Sequence, residues 1–153
     1  MLGRLLAERG LTIAVAESCT GGHVADRLTN VSGSSAYFGR GVIAYSNASK
    51  IALLGVPPDV IDHRGAVSRE VAEAMAAGIR ASAGSDVGLS TTGIAGPTGG
   101  TPEKPVGIVW IGYADETTIL AKRFQFGDGR LRFKERASQA AMEVVHRKIL
   151  RLD

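Results

Sequence analysis

Apolar residues along this chain alternate between helical spacing and continuous runs of strand length. Apolar side chains at helical spacing over 2–6, followed by Gly10 where a helix C-cap belongs, predict a first helix. The uninterrupted apolar run at 11–17 predicts a strand that is covered on both faces. From 22 to 28 the spacing is helical again. The first fifth of the chain therefore predicts a helix, a buried strand and a second helix.

Capping residues predict two further helices, and an amphipathic pattern predicts a last long one. Ser and Asn side chains begin helices because they accept hydrogen bonds from the first free N–H groups, and Gly or Pro commonly ends a helix. Ser46 or Asn47 caps a short helix over 48–55, which Gly55 and Pro57 stop. Ser68 caps a longer helix over 69–84. The last long helix begins at about Leu131.

The other apolar runs predict strands at 41–46, 86–92, 106–115 and 117–126. The glycine-containing stretches between the elements, 31–40 and 93–105, predict loops. The last two strands flank an acidic turn, which indicates a hairpin and hence a mixed sheet. Alternating helices and apolar strands are typical of the α/β class. We expect one domain over 1–153, a three-layer α/β/α sandwich around a mixed, mostly parallel sheet of about five strands.

Composition and charge narrow the class of protein. The net charge of +3 is small for a dedicated nucleic-acid-binding domain, so no nucleic-acid partner is expected. The single cysteine excludes an internal disulfide and fits a reducing compartment. No apolar run approaches the ~20 residues that span a bilayer, and the first residues do not resemble a signal peptide. No Cys pair or His-x-x-x-His pattern indicates a metal site. We therefore expect a soluble, cytoplasmic protein without a metal or a membrane partner.

Three polar, glycine-containing segments follow three of the predicted strands. They read "ESCTGG" at 17–22, "YSNASK" at 45–50 and "TTGIAGPTGG" at 91–100. Ligands of open α/β sheets bind at the carboxyl ends of the strands, so parallel neighbouring strands would bring these loops into one cleft. Free N–H groups at a glycine-lined helix start favour anions, but such turns also serve only to pack a helix against a strand. Both interpretations of the first loop stand at this point.

The first loop holds two candidate nucleophiles. Ser18 and Cys19 are adjacent, so on an extended backbone one side chain faces the cleft and the other faces the core. Buried cysteines are common, which favours Cys19 as the core residue and Ser18 as the nucleophile. A serine hydroxyl is a weak nucleophile until a neighbouring base takes its proton.

Lys50 is the candidate base for Ser18, and Tyr45 is a candidate for relaying or orienting the proton. The turn into a helix can bring both side chains to one side. Lysine ordinarily titrates near ~10.4, and partial burial would lower its pKa toward the range that suits a general base. A surface lysine and a core tyrosine are the alternative. The three histidines of the chain fit a serine–histidine arrangement poorly.

Taken in order, several segments resemble the CinA C-terminal domain family. The matching motifs are "AESCTGG", "GVIAYSNASK", "LLGV", "GAVSREVAEAMA", "TTGIAGPTGGTPEKPVG" and "FGDGR". Members of this family are nicotinamide-nucleotide amidohydrolases. The resemblance therefore implies hydrolysis of the carboxamide of nicotinamide mononucleotide (NMN) to nicotinate mononucleotide and ammonia, without a cofactor. Larger family members carry an additional N-terminal nucleotide-hydrolysing domain for which 153 residues leave no room, so that activity is not carried over.

The resemblance also implies a role for each residue of the predicted site. Ser18 is the nucleophile, and Tyr45 and Lys50 handle its proton. The residues implied to bind substrate, through an oxyanion hole or a phosphate site, are Thr20, Gly21, Gly22, Thr92, Gly93 and Arg130. The family motif near the end usually reads "GDR" where this chain has "GDGR", so Arg132 and Lys134 are alternatives to Arg130.

Two other functions compete with NMN hydrolysis. One is a non-catalytic module that binds a nucleotide or takes part in competence and DNA uptake, as the family name suggests. The other is the same amidase chemistry on a different small amide. We expect a homodimer, because the Ala-rich helices and the hairpin could bury a subunit interface.

Overall fold

The computed structural model describes residues 1–127 and 129–152. Within this part of the chain, helices and strands alternate until a hairpin and a long last helix. The helices are α1 (Leu2–Arg9), α2 (His23–Thr29), α3 (Asn47–Leu54), α4 (Pro58–Arg64), α5 (Arg69–Ala83) and α6 (Arg130–Leu150), with a short 3₁₀ turn at Ser34–Ala36. The strands are β1 (Ile13–Glu17), β2 (Phe38–Ile43), β3 (Val87–Gly93), β4 (Ile108–Ala114) and β5 (Ile119–Gln125).

The five strands form one mixed sheet in the order β2-β1-β3-β4-β5. Strand β1 is parallel to both of its neighbours, β2 and β3. Strand β4 runs antiparallel to β3, and β5 runs antiparallel to β4, so four of the five strands point the same way. This arrangement confirms the predicted α/β class and the mixed sheet.

Two hydrophobic cores lie on the two faces of the sheet, and alternate residues of β1 enter them. Ile13 and Val15 pack into the core that α1, α2 and α6 cover. Ala14 and Ala16 pack into the core that α3, α4 and α5 cover. Because successive side chains of a strand point to opposite faces, β1 reads as a continuous apolar run. The same alternation decides where the side chains that follow β1 point.

Two elements differ from the predictions. Strand β2 begins at Phe38 and not at 41, so the predicted loop at 31–40 was wrong at its end. This edge strand carries Gly39, Arg40 and Gly41, all exposed, and therefore lacks an apolar run at its start. Helix α4 was not predicted, because Pro57 was interpreted only as a stop. Its neighbour Pro58 occupies the first helical position, where the missing N–H of proline costs nothing.

Helices α3 and α5 approach each other so closely that one position admits only glycine. A Cβ atom at Gly78 would lie 1.9 Å from the carbonyl oxygen of Leu54. We expect Gly78→Ala to lower the free energy of unfolding by about 1–3 kcal/mol, as overpacking in well-packed cores does. The gain in helix propensity, about 1 kcal/mol, opposes this loss without removing the clash. Urea unfolding followed by circular dichroism measures the change.

Gly39→Ala is the matched control, because nothing lies within 4 Å of the Cβ atom that it adds. Equal midpoints for the two variants would mean that α3 and α5 are not in this close contact.

Candidate active site

The loops that follow β1, β2 and β3 meet at one end of the sheet. The side-chain amine of Lys50, beyond β2, lies within hydrogen-bond distance of Ser18 Oγ, beyond β1. The guanidinium of Arg130, the first residue of α6, donates to the hydroxyl of Tyr45 and to the carbonyl of Gly96, beyond β3. The three loops are therefore joined to each other and to the start of α6.

Ser18 faces the side of the sheet that α3 and α5 cover. Alternation along β1 places Glu17 and Cys19 toward α2 and α6 and places Ser18 opposite them. The backbone N–H of Ser18 continues the β1–β3 pairing by donating to the carbonyl of Thr91, 3.0 Å away. Ser18 is thus held at the carboxyl end of β1, with 7% of its surface exposed.

Local sequence signals position Lys50 on α3. Ser46 caps this helix, and its Oγ accepts a hydrogen bond from the N–H of Ser49. Gly55 ends the helix in a left-handed conformation, φ 68°. The short helix between these two residues turns Lys50 inward, where only 1% of its surface is exposed. The predicted cap and stop of this helix are therefore the features that aim the lysine at Ser18.

The amine of Lys50 has three hydrogen-bond partners. Its Nζ lies 3.0 Å from Ser18 Oγ, 3.0 Å from the Ala44 carbonyl and 3.1 Å from the Tyr45 carbonyl. A neutral amine has two N–H groups and one lone pair. If the two N–H groups donate to the two carbonyls, the lone pair faces the hydroxyl of Ser18, which is the orientation a base requires.

Burial favours the neutral form of this amine. Removal from water lowers the pKa of Lys50 below the ordinary value of 10.5, and the nearby Cys19 acts weakly in the opposite direction. Among the ion pairs of the described residues, none includes Lys50. The amine therefore has no carboxylate partner that would restore its charged form.

Cys19 is a core residue. It belongs to the cluster under α2 and α6 and is 5% exposed. Burial raises the pKa of its thiol to about 12, so the thiol stays protonated near neutral pH. A protonated, buried thiol is a poor nucleophile.

The side chain of Tyr45 lies apart from the Ser18–Lys50 pair. It is 57% exposed, and its hydroxyl accepts a hydrogen bond of 2.9 Å from Arg130. Only its backbone carbonyl contacts Lys50. Within the part of the chain that the structure describes, no hydrogen bond links the phenol to Lys50 or Ser18. The structure therefore does not form the predicted phenol relay, and its direct serine–lysine contact makes a relay unnecessary for proton transfer.

The start of α2, one of the candidate anion sites, is already occupied by the protein itself. The carboxylate of Glu17 accepts hydrogen bonds from the N–H groups of Val24 and Ala25, both 2.9 Å long. It also accepts one of 2.5 Å from the hydroxyl of Thr20. Because Gly22, the N-cap residue, offers no side chain, Glu17 caps the helix from the preceding strand. A phosphate cannot use these two N–H groups while the carboxylate holds them.

The other residues implied to bind substrate divide into two groups. Two of them serve packing: the Thr92 hydroxyl donates to the Ala66 carbonyl, and a Cβ atom at Gly93 would lie 2.4 Å from the Ile108 carbonyl oxygen. The glycines of the first loop lie at the site, with φ of 59° at Gly21 and 103° at Gly22.

Two cations of α6 approach the site. Arg130 donates hydrogen bonds to Tyr45 and Gly96. Lys134 lies one turn later on α6, and its Nζ is 3.3 Å from where a Cβ atom at Gly21 would lie. Arg132 is exposed, and no described contact brings it to the loops. The "FGDGR" motif includes Asp128, which lies outside the described residues.

Sequence reasoning missed Glu17 and Thr91. Glu17 had a detectable signal, because it is an acid at the end of an apolar strand before a helix whose first residues offer no capping side chain. Thr91 had none, since a threonine inside an apolar strand is common. Its role depends on the pairing of β1 with β3.

None of the helices in the described part of the chain is both long enough and apolar enough to cross a bilayer.

Known proteins resemble this chain over almost its full length. A CinA-like protein of Kosmotoga olearia is 51% identical over 148 residues, which are 97% of this chain and 36% of the relative. A putative competence-damage inducible protein of Clostridium kluyveri is 49% identical over 150 residues, 98% of this chain and 37% of the relative. The chain thus spans a little over a third of the length of these curated relatives.

The fold is also that of solved structures. The crystal structure of a competence-damaged protein (CinA) superfamily protein from Klebsiella pneumoniae matches it with a TM-score of 0.94 at 31% identity. The match covers 98% of this chain and 94% of that chain. The family model of the CinA C-terminal domain matches residues 1–149. This match and the shared fold confirm the resemblance of the motifs, and the chain belongs to the CinA C-terminal domain family.

Proposed function

We propose that this chain is an amidohydrolase that converts NMN and water to nicotinate mononucleotide and ammonia. The observation that carries the proposal is the 3.0 Å contact between a buried lysine amine, in no ion pair among the described residues, and a serine hydroxyl at the carboxyl ends of the strands. The amide substrate itself comes from the resemblance of the motifs to the family.

The chemistry follows from that contact. Lys50 takes the proton of Ser18 as Oγ attacks the carboxamide carbon. The tetrahedral intermediate collapses, the C–N bond breaks, and the proton held by Lys50 goes to the leaving nitrogen, which departs as ammonia. A water molecule then attacks the acyl-enzyme, with Lys50 again accepting and returning a proton, and the carboxylic acid and the free Ser18 hydroxyl result.

Backbone N–H groups of the first loop are the proposed oxyanion donors. Among the described residues, the N–H groups of Cys19, Thr20 and Gly22 donate to no protein acceptor. They flank the nucleophile in sequence, as oxyanion donors often do. Losing one such donor typically costs about 2.7–4 kcal/mol of transition-state stabilisation.

The cations of α6 are the proposed ligands of the 5′-phosphate. Lys134 lies against the Gly21 backbone, and Arg130 bridges the other two loops. The alternative, the start of α2, is occupied by Glu17. In this proposal the pyridine ring lies near Ser18 and the ribose phosphate extends across the loops toward these cations.

Substrate comparison tests the proposal. The purified protein is incubated with NMN, with nicotinamide and with glutamine, and ammonia and the acid product are quantified. We expect ammonia and nicotinate mononucleotide from NMN, and little product from the two amides that lack a phosphate. Equal turnover of free nicotinamide would show that the phosphate plays no part. Thermal stabilisation by NMN without ammonia release would make the chain a binding module instead.

A further inference from the structure

Glu17 is a buried carboxylate without a cation, directly before the candidate nucleophile. It is 1% exposed, and none of the ion pairs among the described residues includes it. Its three hydrogen bonds come from Thr20 and from the first turn of α2. Hydrogen bonds to a charged acceptor are stronger than neutral ones, and the positive end of a helix favours the carboxylate further. Glu17 thus places a buried, hydrogen-bonded carboxyl group on the face of the sheet opposite Ser18.

The hydrogen bonds of Glu17 continue to β3. The Thr20 hydroxyl, which donates to Glu17, also lies 2.8 Å from the hydroxyl of Thr91. The carbonyl of Thr91 in turn accepts from the N–H of Ser18. The backbone from Ser18 to Thr20 is therefore tied at both ends, to α2 through Glu17 and to β3 through Thr91.

We propose that Glu17 is a positioning residue for the Ser18–Lys50 pair. Its carboxylate holds Thr20 and the start of α2, which fixes the backbone of the first loop so that Ser18 Oγ stays within hydrogen-bond distance of Lys50. The proposal rests on the proposed function in taking Ser18 as the nucleophile. Glu17 itself touches neither reacting atom and transfers no proton.

The carboxylate is required, and an amide of the same shape is not sufficient. In Glu17→Gln the amide oxygen still accepts, but the amide nitrogen is a donor that faces the N–H of Ala25. Two donors cannot pair, so the first turn of α2 moves away and the loop loses one anchor. A reacting atom misplaced by about 1 Å can slow a reaction about 100-fold.

The test measures Ser18 reactivity in two ways in the full chain. Phosphonylation of Ser18 by a fluorophosphonate is followed by intact mass, and NMN turnover is measured alongside. For Glu17→Gln we expect both kcat and the phosphonylation rate to fall by about 100-fold, with KM unchanged, because the nucleophile moves and the phosphate site on α6 does not. Thr91→Val, which removes the hydroxyl contact to Thr20 but keeps the backbone bond to Ser18, is expected to lower the same two rates by a smaller factor.

Asp115→Asn is the matched control. Asp115 also accepts hydrogen bonds from hydroxyls, those of Tyr113 and Thr117, and from two backbone N–H groups, those of Thr117 and Thr118, but in the β4–β5 turn at the opposite end of the sheet. The Asp115→Asn variant is expected to keep the wild-type kcat and the wild-type rate of Ser18 phosphonylation. Circular dichroism confirms that each variant is folded at the assay temperature.

The outcomes separate the two proposals. If Glu17→Gln and Thr91→Val react as fast as Asp115→Asn, Glu17 is only a helix cap and the positioning role is overturned. If wild type is phosphonylated at Ser18 but does not hydrolyse NMN, the proposed substrate is wrong, and the phosphonylation rates still decide the role of Glu17. A wild-type Ser18 that does not react at all overturns both.

Discussion

Replacing Ser18 with alanine is expected to abolish NMN hydrolysis and to leave the fold intact. Removing the nucleophile of a serine hydrolase lowers kcat on the order of 10⁴- to 10⁶-fold. The substitution deletes one oxygen from a buried side chain, and Lys50 keeps the carbonyls of Ala44 and Tyr45 as acceptors. No buried donor is therefore left without a partner. Ammonia release measures activity, and circular dichroism measures the fold.

Cys19→Ala is the control for the neighbouring nucleophile. Its thiol lies in the core on the other face of the sheet and is protonated near neutral pH. We expect this variant to keep most of its activity at temperatures where it is folded. An inactive Cys19→Ala beside an active Ser18→Ala would assign the nucleophile to the thiol and would contradict the orientation of the loop after β1.

Short-range rules made Ser18 and Lys50 candidates, and the resemblance of the motifs to the family chose Lys50 over the alternative of a surface lysine. Alternation along β1 separates Ser18 from Cys19, and the cap and stop of α3 turn Lys50 inward. The meeting of the two loops follows from the parallel pairing of β1 and β2. Strand alternation and helix caps are encoded within a few residues, so they can be recognised in one sequence.

Of the parts that sequence reasoning missed or misplaced, Tyr45 depends on a partner distant in the chain and Glu17 on a helix cap that lies outside the helix. The phenol of Tyr45 pairs with Arg130, 85 positions later, and nothing near either residue indicates this contact. The expected anion site at α2 depended on which group caps the helix, and the cap is Glu17, in the preceding strand. The Tyr45 contact leaves no local signal, whereas an acid before a helix start without a capping side chain is a local signal that sequence reasoning overlooked.

The pH dependence of the reaction is expected to report the titration of Lys50. The base must be neutral to accept the proton of Ser18, so kcat/KM should fall as the pH falls through the pKa of Lys50. Burial lowers that pKa, which places this limb of the profile below 10.5. Tyr45→Phe keeps the backbone carbonyl that contacts Lys50, so the limb should stay at the same pH. A limb that disappears in Tyr45→Phe would mean that the phenol relays the proton.

Lys50→Arg tests the same amine by substitution. A guanidinium stays protonated at any pH the protein tolerates, so this variant should lose about 10²- to 10⁴-fold in kcat and also lose the low-pH limb of the kcat/KM profile.

The unfolded wild-type chain binds more protons than the folded one between the lowered pKa of Lys50 and 10.5, so the free energy of unfolding should rise with pH across that interval. Lys50→Met should lack this rise. Urea unfolding at several pH values measures it, and parallel curves for wild type and Lys50→Met would mean that the amine is charged in the folded protein and cannot serve as the base.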